Sequence, residues 1–93
     1  MRLEYHPSVR DDVTEAKRRY KAVSQRLGND FQTELRRVIN MAATNPNRFH
    51  PIKPGLHRAN LNRFPYHVIY REIPGGIRVM LVRHHREVGM SRE

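Results

Sequence analysis

Cysteine is absent from the 93 residues. That removes a disulfide framework and a thiolate metal site, and it points to a reducing, cytoplasmic setting. No apolar run approaches the roughly 20 residues a membrane span requires, and the opening "MRLEYHPSVR" has no apolar stretch after its first charge, so neither an anchor nor a leader is expected. Gly-rich phosphate loops, a spaced Ser/His/Asp set and carboxylate pairs among apolar residues are also missing, which leaves those chemistries without a candidate site. Repeats, low-complexity tracts and linkers are lacking, so residues 1–93 read as one domain with a thin core.

Acidic side chains are scarce as well, nine Asp plus Glu against 18 Lys plus Arg, for a net charge of +9. The excess is uneven: +3 over residues 1–45 and +6 over residues 46–93, where five of the six His also lie. A basic field of this kind attracts polyanions, nucleic acid first and an acidic protein second; its plainer use is solubility.

"RLEYH" alternates ahead of Pro7 and predicts a short first strand. Val9, Val13, Ala16, Tyr20 and Val23 then recur at intervals of four and three, one stripe of a helix with Ser8 placed as its cap and Asp11, Asp12 and Glu15 near its positive end. Gly28 in "RLGND" is expected to break that helix. A second stripe, Leu27, Phe31, Leu35, Val38, Ile39 and Ala42, runs to Pro46. "HPIKPG" reads as a loop, "LHRANLNRF" as a strand, and "YHVIYREI" with "IRVMLVRH" as a hairpin joined through "PGG". The expected fold is α+β: an N-terminal strand and an α-helical hairpin packed on one face of a mainly antiparallel sheet of about four strands. The first strand is free to pair parallel to its neighbour.

Strand parity divides the hairpin into two faces. Tyr66, Val68, Tyr70, Ile77, Val79 and Leu81 should lie against the helices, leaving His67, Ile69, Arg71, Arg78, Met80, Val82 and His84 on the open face. Polar residues on an open face are ordinarily solvated decoration. The choice of Arg and His, however, suits gripping phosphate and exchanging protons near neutral pH.

"HPSVRDDVTEAKRRY", "LGNDFQTELRRVINMAATNPNRF", "HRANLNRFPYHVIYRE" and "IRVMLVRHHRE", taken in that order and spacing, resemble the RelE/ParE superfamily of toxins from bacterial type II toxin-antitoxin modules over nearly the whole chain. The resemblance implies the fold just described, with the open side of the sheet as the working surface. It also implies a cognate antitoxin that wraps the toxin, with operator DNA reached only through the antitoxin. RelE-like members cut messenger RNA on the ribosome; ParE-like members inhibit DNA gyrase and have no catalytic site. The RelE-like pattern places an Arg where His67 stands and a Tyr where Gly89 stands, and no Tyr follows Tyr70. "PYHVIY" and its flanks are closer to the ParE-like branch, as is His84 with Arg86. A toxin acting by binding gyrase is the first reading. An RNA endonuclease using His67, His84, His85 and Arg86 is the second, and a non-toxic nucleic-acid-binding module is the third. The residues expected to hold phosphate or the target are Arg58, Arg63, Arg71, Arg78, Arg83 and Arg86.

No cofactor and no metal are expected, since His84 and His85 are neighbours on a strand and point to opposite faces. His6, His50 and His57 read as ordinary surface residues, and "KRRYK" and "LRRV" as the outward sides of helices.

Overall fold

A computed structural model describes residues 1–86. Five strands, β1 (Arg2–Tyr5), β2 (His50–Lys53), β3 (Leu56–Asn60), β4 (Tyr66–Ile73) and β5 (Gly76–His84), form one sheet in the order β1-β5-β4-β3-β2. The helices α1 (Val9–Lys21) and α2 (Gln25–Thr44) follow β1 in the chain and cover one face of that sheet. All neighbours pair antiparallel except β1, which runs parallel to β5.

Several local expectations are corrected. The sheet has five strands rather than about four, because "HPIK" forms an exposed edge strand where a loop was expected; Pro51 is tolerated there because an edge strand has N–H groups that need no ladder partner. Gly28 does not break a helix. The chain turns at residues 22–24, Ser24 caps α2 by accepting from the Leu27 N–H at 3.0 Å, and Gly28 sits one turn inside α2. A Cβ at Gly28 would stand 2.4 Å from the Lys21 side chain, so a bare backbone lets the two helices approach at their joint. Val23, placed by periodicity in the α1 stripe, falls in the turn and is 73% exposed. Ser8 does occupy the N-cap of α1, but its hydroxyl bonds His6 Nδ1 at 2.9 Å instead of the helix backbone.

The core lies between helices and sheet and is aromatic at its centre. Tyr20, Phe31, Phe64 and Tyr66 meet with ring centroids 4.9–6.0 Å apart, mostly edge to face, the geometry in which ring quadrupoles attract. Glu34 on α2 is buried and accepts the backbone N–H groups of Asn62 and Arg63, which fixes the β3–β4 turn so that Phe64 points into this cluster. His57, expected at the surface, is buried. Its ring stacks on Tyr70 at 5.0 Å, with Nδ1 at 3.0 Å from the Phe49 carbonyl and Nε2 at 2.6 Å from Glu72.

The parity of β5 is the main departure. Tyr70 pairs with Val79, yet Ile69 pairs with Leu81, so Met80 is an extra residue and the ladder carries a β-bulge. Before the bulge, Ile77 and Val79 face the helices as expected; after it, Val82 takes the core position at 2% exposure, and Leu81 joins Ile69 on the open face. Pairing with β1 ends at the same place, the last bond there being His6 N–H to the Val79 carbonyl. The Val82 N–H beyond it would lack an acceptor, and Asp12 from α1 supplies one at 3.0 Å. At the other end of this pairing Gly76 lies opposite Arg2, where a Cβ would come within 1.8 Å of the Arg2 carbonyl oxygen; a side chain there would push β1 off the sheet.

Removing the Asp12 carboxylate leaves the Val82 N–H without its partner. Asp12→Ala should therefore cost about 1–3 kcal/mol in urea unfolding; an unchanged midpoint and slope would show that water serves Val82 equally well.

Candidate functional site

The open face is built in rows that cross the strands. One row joins His50, Arg58, Ile69 and Leu81, and the next joins Asn60, His67 and Arg83. Because the bulge shifts the end of β5 by one residue, Arg83 and then His85 reach this side, while His84 turns to the other and meets the Tyr66 ring edge-on at 5.1 Å. Together with Pro51 and Ile52 from β2, these rows line an open concavity of about 500 Å³ with an apolar floor (Ile52, Ile69, Leu81) and cationic or titratable walls (His50, Arg58, His67, Arg83).

At one end His67 and His85 stack, with ring centroids 5.2 Å apart and 10° between planes, and their Nδ1 atoms are 3.0 Å apart. Arg58 Nη2 lies 3.4 Å from the same His85 nitrogen, and its Nε donates to Asn60 at 2.9 Å. Guanidinium only donates, so His85 Nδ1 is the acceptor and the proton between the rings belongs to His67 Nδ1. His85, accepting at Nδ1, is then neutral. Burial is the first cause that drives His67 down to about 4, with Arg58, His85, Arg83 and His84 adding repulsion; burial followed by Arg58 and His84 lowers His85 too. His85 is also anchored through its backbone, whose N–H donates to the Pro65 carbonyl at 2.9 Å.

Of the residues expected to form a site, the structure gathers Arg58, His67, Arg83 and His85. The others are placed elsewhere. Arg63 reaches Asp30 on α2 at 3.2 Å and lies over the Phe64 ring. Arg86 is exposed and its N–H donates to His84 Nδ1 at 3.1 Å. Arg71 and Arg78 stand directly opposite each other in the row on the far side of the bulge. Neither has an ion-pair partner among the described residues, and Arg78 Nε is buried without a hydrogen bond there. His50, expected as an ordinary surface residue, Leu81, expected against the helices, and Ile52 also line the concavity. The alternation in "HPIK" is the only signal that could have found His50 and Ile52; Leu81 depends on the bulge. Gly89, which stands where the RelE-like pattern places a Tyr, lies outside the described residues.

No family model and no curated protein matches the chain. Among solved structures, a chain of the "Chromosomal ParDE TA system from P. aeruginosa" superposes with a TM-score of 0.76 at 15% identity, covering 90% of this chain and 95% of that one. The fold is ParE-like. The helical hairpin and the meander expected from the sequence resemblance are thus those of the ParE-like fold. Among the described residues no helix is long and apolar enough to cross a membrane.

A histidine held neutral by folding but charged when unfolded weakens the fold in acid. His67 has its folded value depressed to about 4 from 6.5, so its contribution is complete above pH about 6.5 and is lost as pH falls toward 4. Stability measured by urea unfolding should decline over that window, and less steeply in His67→Gln; equal slopes in the two proteins would contradict the assignment.

Proposed function

We propose that this chain is the toxin of a type II toxin-antitoxin module, held neutral by a cognate antitoxin, and that it arrests growth in the ParE-like manner, by binding DNA gyrase rather than by catalysis. Superposition on a chain of a ParDE system over nine-tenths of the length is the observation that carries this reading. The electrostatics of the open face support it. Like charges opposite one another on a sheet are destabilising, and Arg71 and Arg78 hold that arrangement with neither in an ion pair among the described residues, since Glu4, next to Arg78 on β1, is bound to Arg2; a surface of this kind suits an acidic counterpart. The half-apolar concavity beside them offers the mixed surface a protein partner needs.

One observation favours a second reading. Arg58, Arg83, His67 and His85 form a set able to hold a phosphodiester and move a proton, as a ribosome-dependent messenger RNA endonuclease requires. Against it, the bare nitrogen of His85 is already occupied by His67 and Arg58, so a base would have to be released before it could act.

Inducible expression without an antitoxin should stop growth. Arg71→Ala/Arg78→Ala should relieve that arrest by tenfold or more in viable count, on the order expected when a central charged contact worth about 1.4 kcal/mol is lost. Purified protein should inhibit supercoiling by gyrase while primer extension on translated message shows no cuts. Codon-phased cuts that disappear in His85→Ala would establish the endonuclease instead, and normal growth at verified expression would remove the toxin assignment.

A further inference from the structure

The sheet face is not the only cationic surface. Three concavities adjoin on the helical layer, on the opposite side of the molecule from the site above. The first runs along α1 and is lined by Arg10, Thr14, Lys17, Arg18 and Lys21; the second lies between the helices and shares Arg10 and Val13 with the first and Arg36 with the third. The third follows α2 into the Pro46–Arg48 turn and carries Arg36, Arg37 and Arg48. Seven cations therefore form one band, and no Asp or Glu lines any of the three concavities.

Charge is sorted around α1 to make this band. Arg10, Thr14, Lys17 and Lys21 recur at spacings of three and four on one side, with Arg18 at its edge next to Asp11, whereas Asp12 and Glu15 fall on another, where Asp12 serves the Val82 N–H. A helix that merely needed solubility would gain from mixing the two signs into ion pairs. None of the seven cations has an ion-pair partner among the described residues. Between them stand neutral side chains able to donate, Gln32, Thr33, Asn40, Thr44 and Asn45, with Val9, Val13, Leu35 and Ile39 on the floor of the middle concavity. Arg and Lys interleaved with amide and hydroxyl donors is the composition that contacts phosphate oxygens.

We propose that the helical band of this chain binds the phosphate backbone of duplex DNA directly and without sequence preference, independently of the sheet face. The choice of duplex over single strand comes from the band's lack of stacking surfaces. Apart from Tyr5 and His6 in the middle concavity, no aromatic ring lines it, and proteins that hold single strands rely on a succession of aromatic platforms for their bases. A duplex keeps its bases stacked inside and offers only phosphates to such a surface. The contact is distinct from one made through an antitoxin, and it does not depend on the assignment of the sheet face.

The test compares two triple variants of the full chain with equal net charge. Arg10→Glu/Arg18→Glu/Arg36→Glu alters the band; Lys53→Glu/Arg71→Glu/Arg86→Glu alters the strand side; all six residues are exposed. Fluorescence anisotropy with a 20-base-pair duplex of arbitrary sequence, titrated across salt concentrations, reads the affinity and its salt slope. The band variant should bind about tenfold or more weakly with a salt slope smaller by roughly two to three, at about 0.9 per phosphate contact, while the strand-side variant should retain the slope of the original chain. The proposal is overturned by equal losses in both variants, by loss only in the strand-side variant, or by absence of binding at low salt. Tighter binding to a 20-nucleotide single-stranded RNA would overturn the preference for duplex. Displacement of the duplex by poly-glutamate at equal charge concentration, as efficient as by unlabelled duplex, would assign the band to an acidic protein instead.

Discussion

The arrangement of the candidate site depends on one extra residue in one strand. With Tyr70 opposite Val79 and Ile69 opposite Leu81, Met80 has no cross-strand place of its own, and every side chain after it changes face. Val82 closes the core above α1, and Arg83 and His85 arrive beside Arg58 and His67. Without the bulge, Val82 would sit on the open face, Arg83 would be turned toward the apolar core, and the histidine stack could not form. The same step coincides with the end of β1 pairing, which is why a carboxylate from α1 is needed at Val82.

The architecture was legible in the sequence because it rests on periodicities that tertiary structure did not override. The stripes of both helices, the β4–β5 hairpin and the optional parallel pairing of the first strand all follow from the spacing of apolar residues and from Pro and Gly. What could not be read rests on single-residue events. Met80 has nothing in its chemistry that marks a bulge, so unbroken alternation puts Leu81, Val82 and His84 on the faces opposite to those they occupy. Gly28 looked like a helix breaker because its role is to admit Lys21 across the interhelical joint, a contact between residues that the pattern of either helix alone does not contain. His57 looked like loop decoration; its burial is set by acceptors supplied from Phe49 and Glu72.

The site shows a parallel division. Arg58, His67, Arg83 and His85 converge because they occupy neighbouring strands on one face, whereas Arg63, equally plausible from sequence, is captured by Asp30 on α2. Charge on this protein is consequently organised into separate regions: a concavity with an apolar floor on the sheet, an Arg71–Arg78 pair beside it, and a cationic band on the helical layer. These regions differ in what they can hold. The first two combine apolar surface with few charges, as a protein contact does, and the third spreads charge along a track.

The most direct measurement is the set of NMR contacts across β4 and β5 in isotopically labelled protein. Nuclear Overhauser effects should join Ile69 to Leu81 and Tyr70 to Val79, with the His67 ring close to that of His85. An unbroken ladder joining Ile69 to Met80 and Val68 to Leu81 would contradict the bulge, and with it the face on which the candidate site is built.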